Sequence, residues 1–250
     1  MDTASQIHLA SQYLAMAGKS FLEPKNDDSH TNVGFFIEDN TLRTWELDNS
    51  GTYLAFRFND FSLQWGISDS KIVFGLDGKN HNEIISWISK MAAASKFKNA
   101  YNYDLHYKLP YSQLGNFKFG LSDTSELNQL LELRILAQNV LKEFLNSKKI
   151  ESDIRIWPHH FDTGAFFQLN DGSEKSIGLG MAIPDSVCDK HYFYISGYTG
   201  HDAIDTTGFK GLTYGEWRNN GFNGAILNAS AINKEDAINF FTEALKVYKE

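Results

Sequence analysis

The chain has 250 residues, 42% hydrophobic and 22% charged, enough to bury a sizeable core and ordinary for a globular protein. A net charge of −8 with no basic run excludes a nucleic-acid partner held by phosphate neutralisation. One cysteine, Cys188, excludes an internal disulfide framework and fits a reducing, cytoplasmic setting.

Met1–Gln6 carries neither a basic n-region nor an apolar h-region, and no stretch approaches the ~18 apolar residues of a membrane span. Neither a signal peptide nor a membrane partner is therefore expected. Aromatic residues reach 14%, which favours sheet, because flat rings pack well on a pleated surface.

In chain order, the first predicted element is a helix over Thr3–Ala17. Ile7, Leu9, Ala10, Tyr13, Leu14 and Ala17 recur at helical spacing, and Gly18 is placed to stop it. Gly18-Lys19-Ser20 is not a phosphate loop, since Tyr13 stands where the first glycine belongs and a helix precedes it. After the polar loop Glu23–Asn32, strands are predicted over Val33–Glu38, Leu42–Leu47, Tyr53–Phe58, Phe61–Gly66 and Ile72–Leu76. Turn formers separate them at short intervals, which makes an antiparallel meander.

A helix over Asn82–Ala94 closes that set. Phe97–Gly120, broken by Pro110 and Gly115, reads as an irregular connector. Asp123 and Glu126 open a long helix reaching Asn146. Strands follow over Ile154–Trp157, Ala165–Leu169, Ser176–Ile183, His191–Ser196 and Ala225–Leu227. The last helix, Glu235–Tyr248, carries Ala237, Phe240, Phe241, Ala244, Leu245 and Tyr248 on one side. Gly197–Gly224 reads as a long Gly/Thr/Asn-rich loop, a feature usually functional or mobile.

The expected fold class is α+β, in two similar halves, each an antiparallel meander of about five strands flanked by helices. Boundaries fall at residues 1–96, a connector 97–123, and 124–250, with one compact domain as the alternative. Internal duplication is suggested because Arg43-Thr44-Trp45, Asp48 and Gly51-Thr52-Tyr53 echo Arg155-Ile156-Trp157, Asp162 and Gly164-Ala165-Phe166. On that alignment the second copy inserts Pro158-His159-His160-Phe161. Polar groups inserted at a strand end cost burial unless paired, so the second copy is where chemistry is expected.

In an extended chain His160 and Asp162 would share a face, with His159 on the other. A carboxylate beside an imidazole suits a general base or a metal ligand, so His160 and Asp162 are the catalytic candidates. His159, His160 and Asp162 could hold a divalent metal, with His191, His201, Asp202 and Asp205 as distant contributors, although the spacing matches no metal motif. Trp157, His159, His191 and Trp217 are candidate contacts for a small-molecule ligand. The bland alternative is that the two histidines cap a strand end with satisfied hydrogen bonds.

Cys188 and His191 lack any sign of an oxyanion hole. Glu46, Asp48 and Glu216 beside Trp45 and Trp217 have no spacing that selects a glycosidase pair. A second hypothesis is a non-catalytic interaction module, its aromatic-lined groove made by Trp45, Trp65, Trp157 and Trp217.

Gln12, Gly18-Lys19, His30-Thr31-Asn32, the run from Trp157 to Phe161-Asp162 and the strand Tyr192-Phe193-Tyr194 are together similar to a bacterial family known only as a domain of unknown function. The likeness spans most of the chain on short motifs. It departs after Phe161-Asp162, where Ala165-Phe166-Phe167-Gln168 stands in place of an Arg-Phe-Ser-Gly run. The resemblance implies no catalytic role.

Overall fold

The structure, a computed structural model, describes residues 1–68, 70–111, 117–230 and 232–250. The fold is α+β, with four α-helices and two antiparallel sheets of five and seven strands among the described residues. Two compact units form: Met1–Leu133 with Ile156–His159, and Arg134–Arg155 with His160–Glu250. Helix α3 (Thr124–Lys148) and strand β6 (Arg155–Trp157) each run across that division.

The first unit is built on α1 (Thr3–Phe21), whose N-terminus is capped by the Asp2 carboxylate accepting from the Ser5 N–H at 2.7 Å. From Gln6 to Gly18 every residue is buried, so α1 is a central helix rather than one with a single apolar stripe. Gly18 does not stop it. A Cβ at Gly18 would lie 2.4 Å from the His30 carbonyl oxygen, so this glycine permits a close backbone approach while the helix continues to Phe21.

The first sheet is an uninterrupted meander of β1 (Gly34–Phe36), β2 (Thr41–Arg43), β3 (Tyr53–Arg57), β4 (Ser62–Ile67) and β5 (Ser70–Gly75). β2 ends at Arg43, short of the expected Leu47. Beyond it the Asp48 carboxylate gathers the Ser50 and Thr52 N–H groups at 2.9 and 3.1 Å, which fixes a loop instead of a ladder. Leu54, Phe56, Leu63 and Trp65 are buried in this unit's core.

Helix α2 (His81–Ala94) opens with a reciprocal capping box between Asn80 and Glu83, and buries Ile84, Ile88 and Ala92. The described part of Phe97–Gly120 is irregular as expected and belongs to this unit, where the Tyr101 hydroxyl donates to the Tyr13 carbonyl at 3.1 Å. Gly115 lies outside the described residues.

In the second unit β7 (Asp162–Gln168), β8 (Lys175–Ala182), β9 (Tyr192–Thr199) and β12 (Asn223–Asn228) pair in that order, with β11 (Glu216–Asn219) on β12 and β10 (Asp202–Ala203) on β9. The expected Gly197–Gly224 loop therefore contains two short strands. They are hidden because they are short and made largely of residues depleted in strands, Asp202 and Ala203 in one and Glu216 and Asn219 in the other. Helix α4 (Lys234–Lys249) buries Ala237, Phe240, Phe241, Ala244, Leu245 and Tyr248, the stripe its periodicity marks. Phe241 sits 5.3 Å from Phe144 and 5.7 Å from Phe193, tying both helices to the sheet. No described helix is long and apolar enough to cross a membrane.

Candidate functional site

The stretch singled out in the sequence is a hairpin turn. β6 ends at Trp157, Pro158–Phe161 turn, and β7 begins at Asp162. Phe161 has φ +58°, a left-handed conformation unusual for a bulky residue. The extended alternation expected of His159, His160 and Asp162 is therefore absent.

The first sheet has a four-residue turn of the same kind at Phe58–Phe61, with Phe61 at φ +48°.

Within the first unit, the Pro158 carbonyl accepts from Gln12 Nε2 at 2.8 Å and lies 2.7 Å from His8 Nε2. A carbonyl only accepts, so His8 carries a proton on Nε2. Gln12 Oε1 accepts the Tyr107 hydroxyl at 2.6 Å, and the Tyr107 ring lies 5.6 Å from the His159 ring. His159 is half-buried and belongs to this polar–aromatic group.

Within the second unit, Asp162 is only 8% exposed. Its Oδ2 accepts a short hydrogen bond from the Tyr194 hydroxyl, reached across β8 from β9. Among the described residues its Oδ1 accepts none. Arg134, 5% exposed on α3, donates to Thr163 Oγ1 at 2.6 Å and to the Phe161 carbonyl at 2.5 Å. Its guanidinium also lies 4.1 Å from the centroid of the Phe161 ring. Arg134 thus holds the left-handed Phe161 by carbonyl and ring together.

Burial pushes the Asp162 carboxyl above its usual range, against the Tyr194 hydrogen bond and the positive charges of His160 and Arg134. Burial likewise holds the Arg134 guanidinium down to about 10, partly offset by Asp162. His191, at the start of β9, is pushed down to about 4, first by burial and then by the Arg134 charge.

That shift has a pH consequence. Between pH 6.5 and about 4 the unfolded chain binds a proton at His191 that the folded chain does not. The contribution is present above pH 6.5 and is lost as pH falls towards 4. After screening at a half-exposed ring it amounts to about 1–2 kcal/mol. Denaturant titrations at pH 7 and pH 4.5 should show a steeper loss for the wild type than for His191→Phe, and equal losses would refute the assignment.

The Asp162 carboxyl feels the charges of His160 and Arg134 and accepts from Tyr194, His191 feels the charge of Arg134, and His160 itself lies at the exposed tip of the turn. No group of three or more His, Cys, Asp or Glu residues among those described is placed to hold a metal ion. The reason is local: Tyr194 takes one Asp162 oxygen, a buried cation lies close by, and His159 packs on Tyr107. Asp205 caps the Thr207 N–H at 2.8 Å, and Asp202 lies exposed on β10.

The indoles have separate roles. Trp65 is 1% exposed and bonds Ser95 Oγ at 3.0 Å, while Trp45 donates to the Ser29 carbonyl at 2.9 Å. Trp217 donates to the Lys210 carbonyl at 2.9 Å and packs on Tyr248, which lies against Gly197, well along β9 from His191. Trp157 is half-buried at the end of β6.

His8, Tyr107, Arg134 and Tyr194 escaped notice as site residues. A signal existed for Arg134, because Leu127, Arg134 and Leu141 are seven apart and share one face of α3. His8 and Gln12, four apart and both buried on α1, gave a similar signal. Compared with family models, curated proteins and solved structures, the chain matches none.

Proposed function

We propose that the chain binds a small polar molecule at the second-unit group of His160, Asp162, His191 and Tyr194. The observation that carries the reading is Asp162 Oδ1, a carboxylate oxygen in a buried side chain that accepts no hydrogen bond among the described residues. Leaving such a group unmet costs about 1–3 kcal/mol, more when it is charged, so a ligand hydroxyl or ammonium would be well received there. Groups whose proton affinity is displaced in opposite directions, a carboxyl raised and an imidazole lowered, are the usual equipment of binding and proton-transfer sites. The exposed His160 is the residue a ligand would meet first.

The resemblance to the bacterial family of unknown function is part of the same proposal. Two of its motif residues, Gln12 and Pro158, lie 146 positions apart and are joined by a hydrogen bond. The equal Phe58–Phe61 and Pro158–Phe161 turns support descent of the two sheets from one duplicated hairpin.

The test is a thermal-shift screen of small amines, polyols, imidazole and guanidine against the wild type and His160→Ala. A compound that stabilises the wild type by several degrees and the variant by clearly less supports the reading. Equal shifts in both proteins, or none in either, would dispose of it.

A further inference from the structure

β5 stands apart from its neighbour. β4 is buried at five of its six positions, whereas every β5 residue except the half-buried Phe74 is exposed, including Ile72 at 44% and Val73 at 47%. β5 is also the outer strand of the first sheet. An exposed apolar outer strand invites another strand, and proteins normally blunt such edges. Here Lys71 is the strand's one charge.

The ladder fixes which backbone groups face outward. The Leu76 N–H donates to the Phe61 carbonyl at 3.1 Å, so Phe61 and Leu76 form a hydrogen-bonded pair in register with β4 and β5. Such pairs alternate along an antiparallel ladder. Ser70, Ile72 and Phe74 therefore turn their N–H and C=O groups towards β4, and Lys71, Val73 and Gly75 turn theirs away from the sheet.

We infer that β5 pairs with β5 of a second copy of this chain, antiparallel, with the two-fold axis at Val73. That register uses all three outward residues: Val73 faces Val73, and Lys71 faces Gly75. Centring on Lys71 would oppose two like charges and leave Gly75 unused, and centring on Gly75 would leave Lys71 unused. With the axis at Val73, Lys71 is one diagonal step from the exposed Asp77 of the second copy, an opposite charge. Ile72 comes opposite Phe74, extending the stack in which Phe74 lies 5.0 Å from Trp87 of α2. Self-complementarity of this kind is what an isologous interface requires.

The test is sedimentation velocity of the full chain across micromolar concentrations, compared with Val73→Lys and Val73→Pro. Val73→Lys changes an exposed side chain and sets two cations face to face. Val73→Pro removes an outward N–H and leaves the bonds to β4 intact. The wild type should sediment at twice the 28.3 kDa chain mass, and each variant should weaken the dimer at least tenfold while keeping the wild-type circular dichroism. An equimolar mixture of Val73→Lys and Val73→Glu should recover a mixed dimer. A wild type that stays monomeric, or a dimer indifferent to both variants, would overturn the inference.

Discussion

Replacing Arg134 by Leu should destabilise the protein by about 3–5 kcal/mol, the scale of removing a buried, hydrogen-bonded cation and leaving its partners behind. Three losses coincide. The Phe161 carbonyl and Thr163 Oγ1 lose their donor, the Phe161 ring loses the cation above it, and Asp162 keeps its desolvation without the nearby positive charge. The left-handed Phe161 backbone then has less to hold it. Urea denaturation of Arg134→Leu, Asp162→Asn and the double variant forms the appropriate cycle. The double variant should be more stable than the sum of the single losses, because neutralising Asp162 removes the unpaired charge. Strict additivity would mean that Arg134 serves the turn alone.

Gly180→Ala should cost about 1–3 kcal/mol, at the upper end for overpacking, although alanine is normally the milder residue in a strand. A Cβ there would lie 2.4 Å from the Thr163 carbonyl oxygen and 2.8 Å from Gly164 Cα, backbone atoms that cannot swing aside. It would also lie 3.0 Å from Cε1 of Tyr194, the residue that pairs with Gly180 across the ladder and donates to Asp162. Loss of stability should therefore come with a change in Asp162 titration. Gly172→Ala, whose Cβ meets nothing within 4 Å, controls for a bare glycine effect, though its φ of +85° adds some strain of its own.

Much of the fold was legible where periodicity and burial agree. The α4 stripe is buried residue for residue, and the five strands of the first sheet fall within a few positions of the expected ones. Gly18 was misread because a glycine after an apolar stripe has two uses, ending a helix or admitting a neighbouring backbone, and only the position of His30 decides between them. β10 and β11 were missed because their stability comes from pairing with β9 and β12 rather than from their own residues.

The candidate site was half legible. The Trp157–Asp162 stretch drew attention through its histidines, while the residues that define its chemistry come from afar. Tyr194 reaches Asp162 through a three-strand register, and Arg134 arrives from a helix whose leucines masked it. His160 and Asp162 do not alternate along a strand because the left-handed Phe161 lies between them in the turn. Nothing in the local sequence announces that conformation in a residue so bulky.

The claim on which the proposed site depends is that Asp162 is buried, short of one donor and held towards its protonated form. Carbon-13 NMR titration of the Asp162 carboxyl measures this directly, in the wild type and in His160→Ala. The midpoint should lie above the ordinary aspartate range and rise further once the His160 charge is gone. A midpoint at or below that range, indifferent to His160, would contradict the reading.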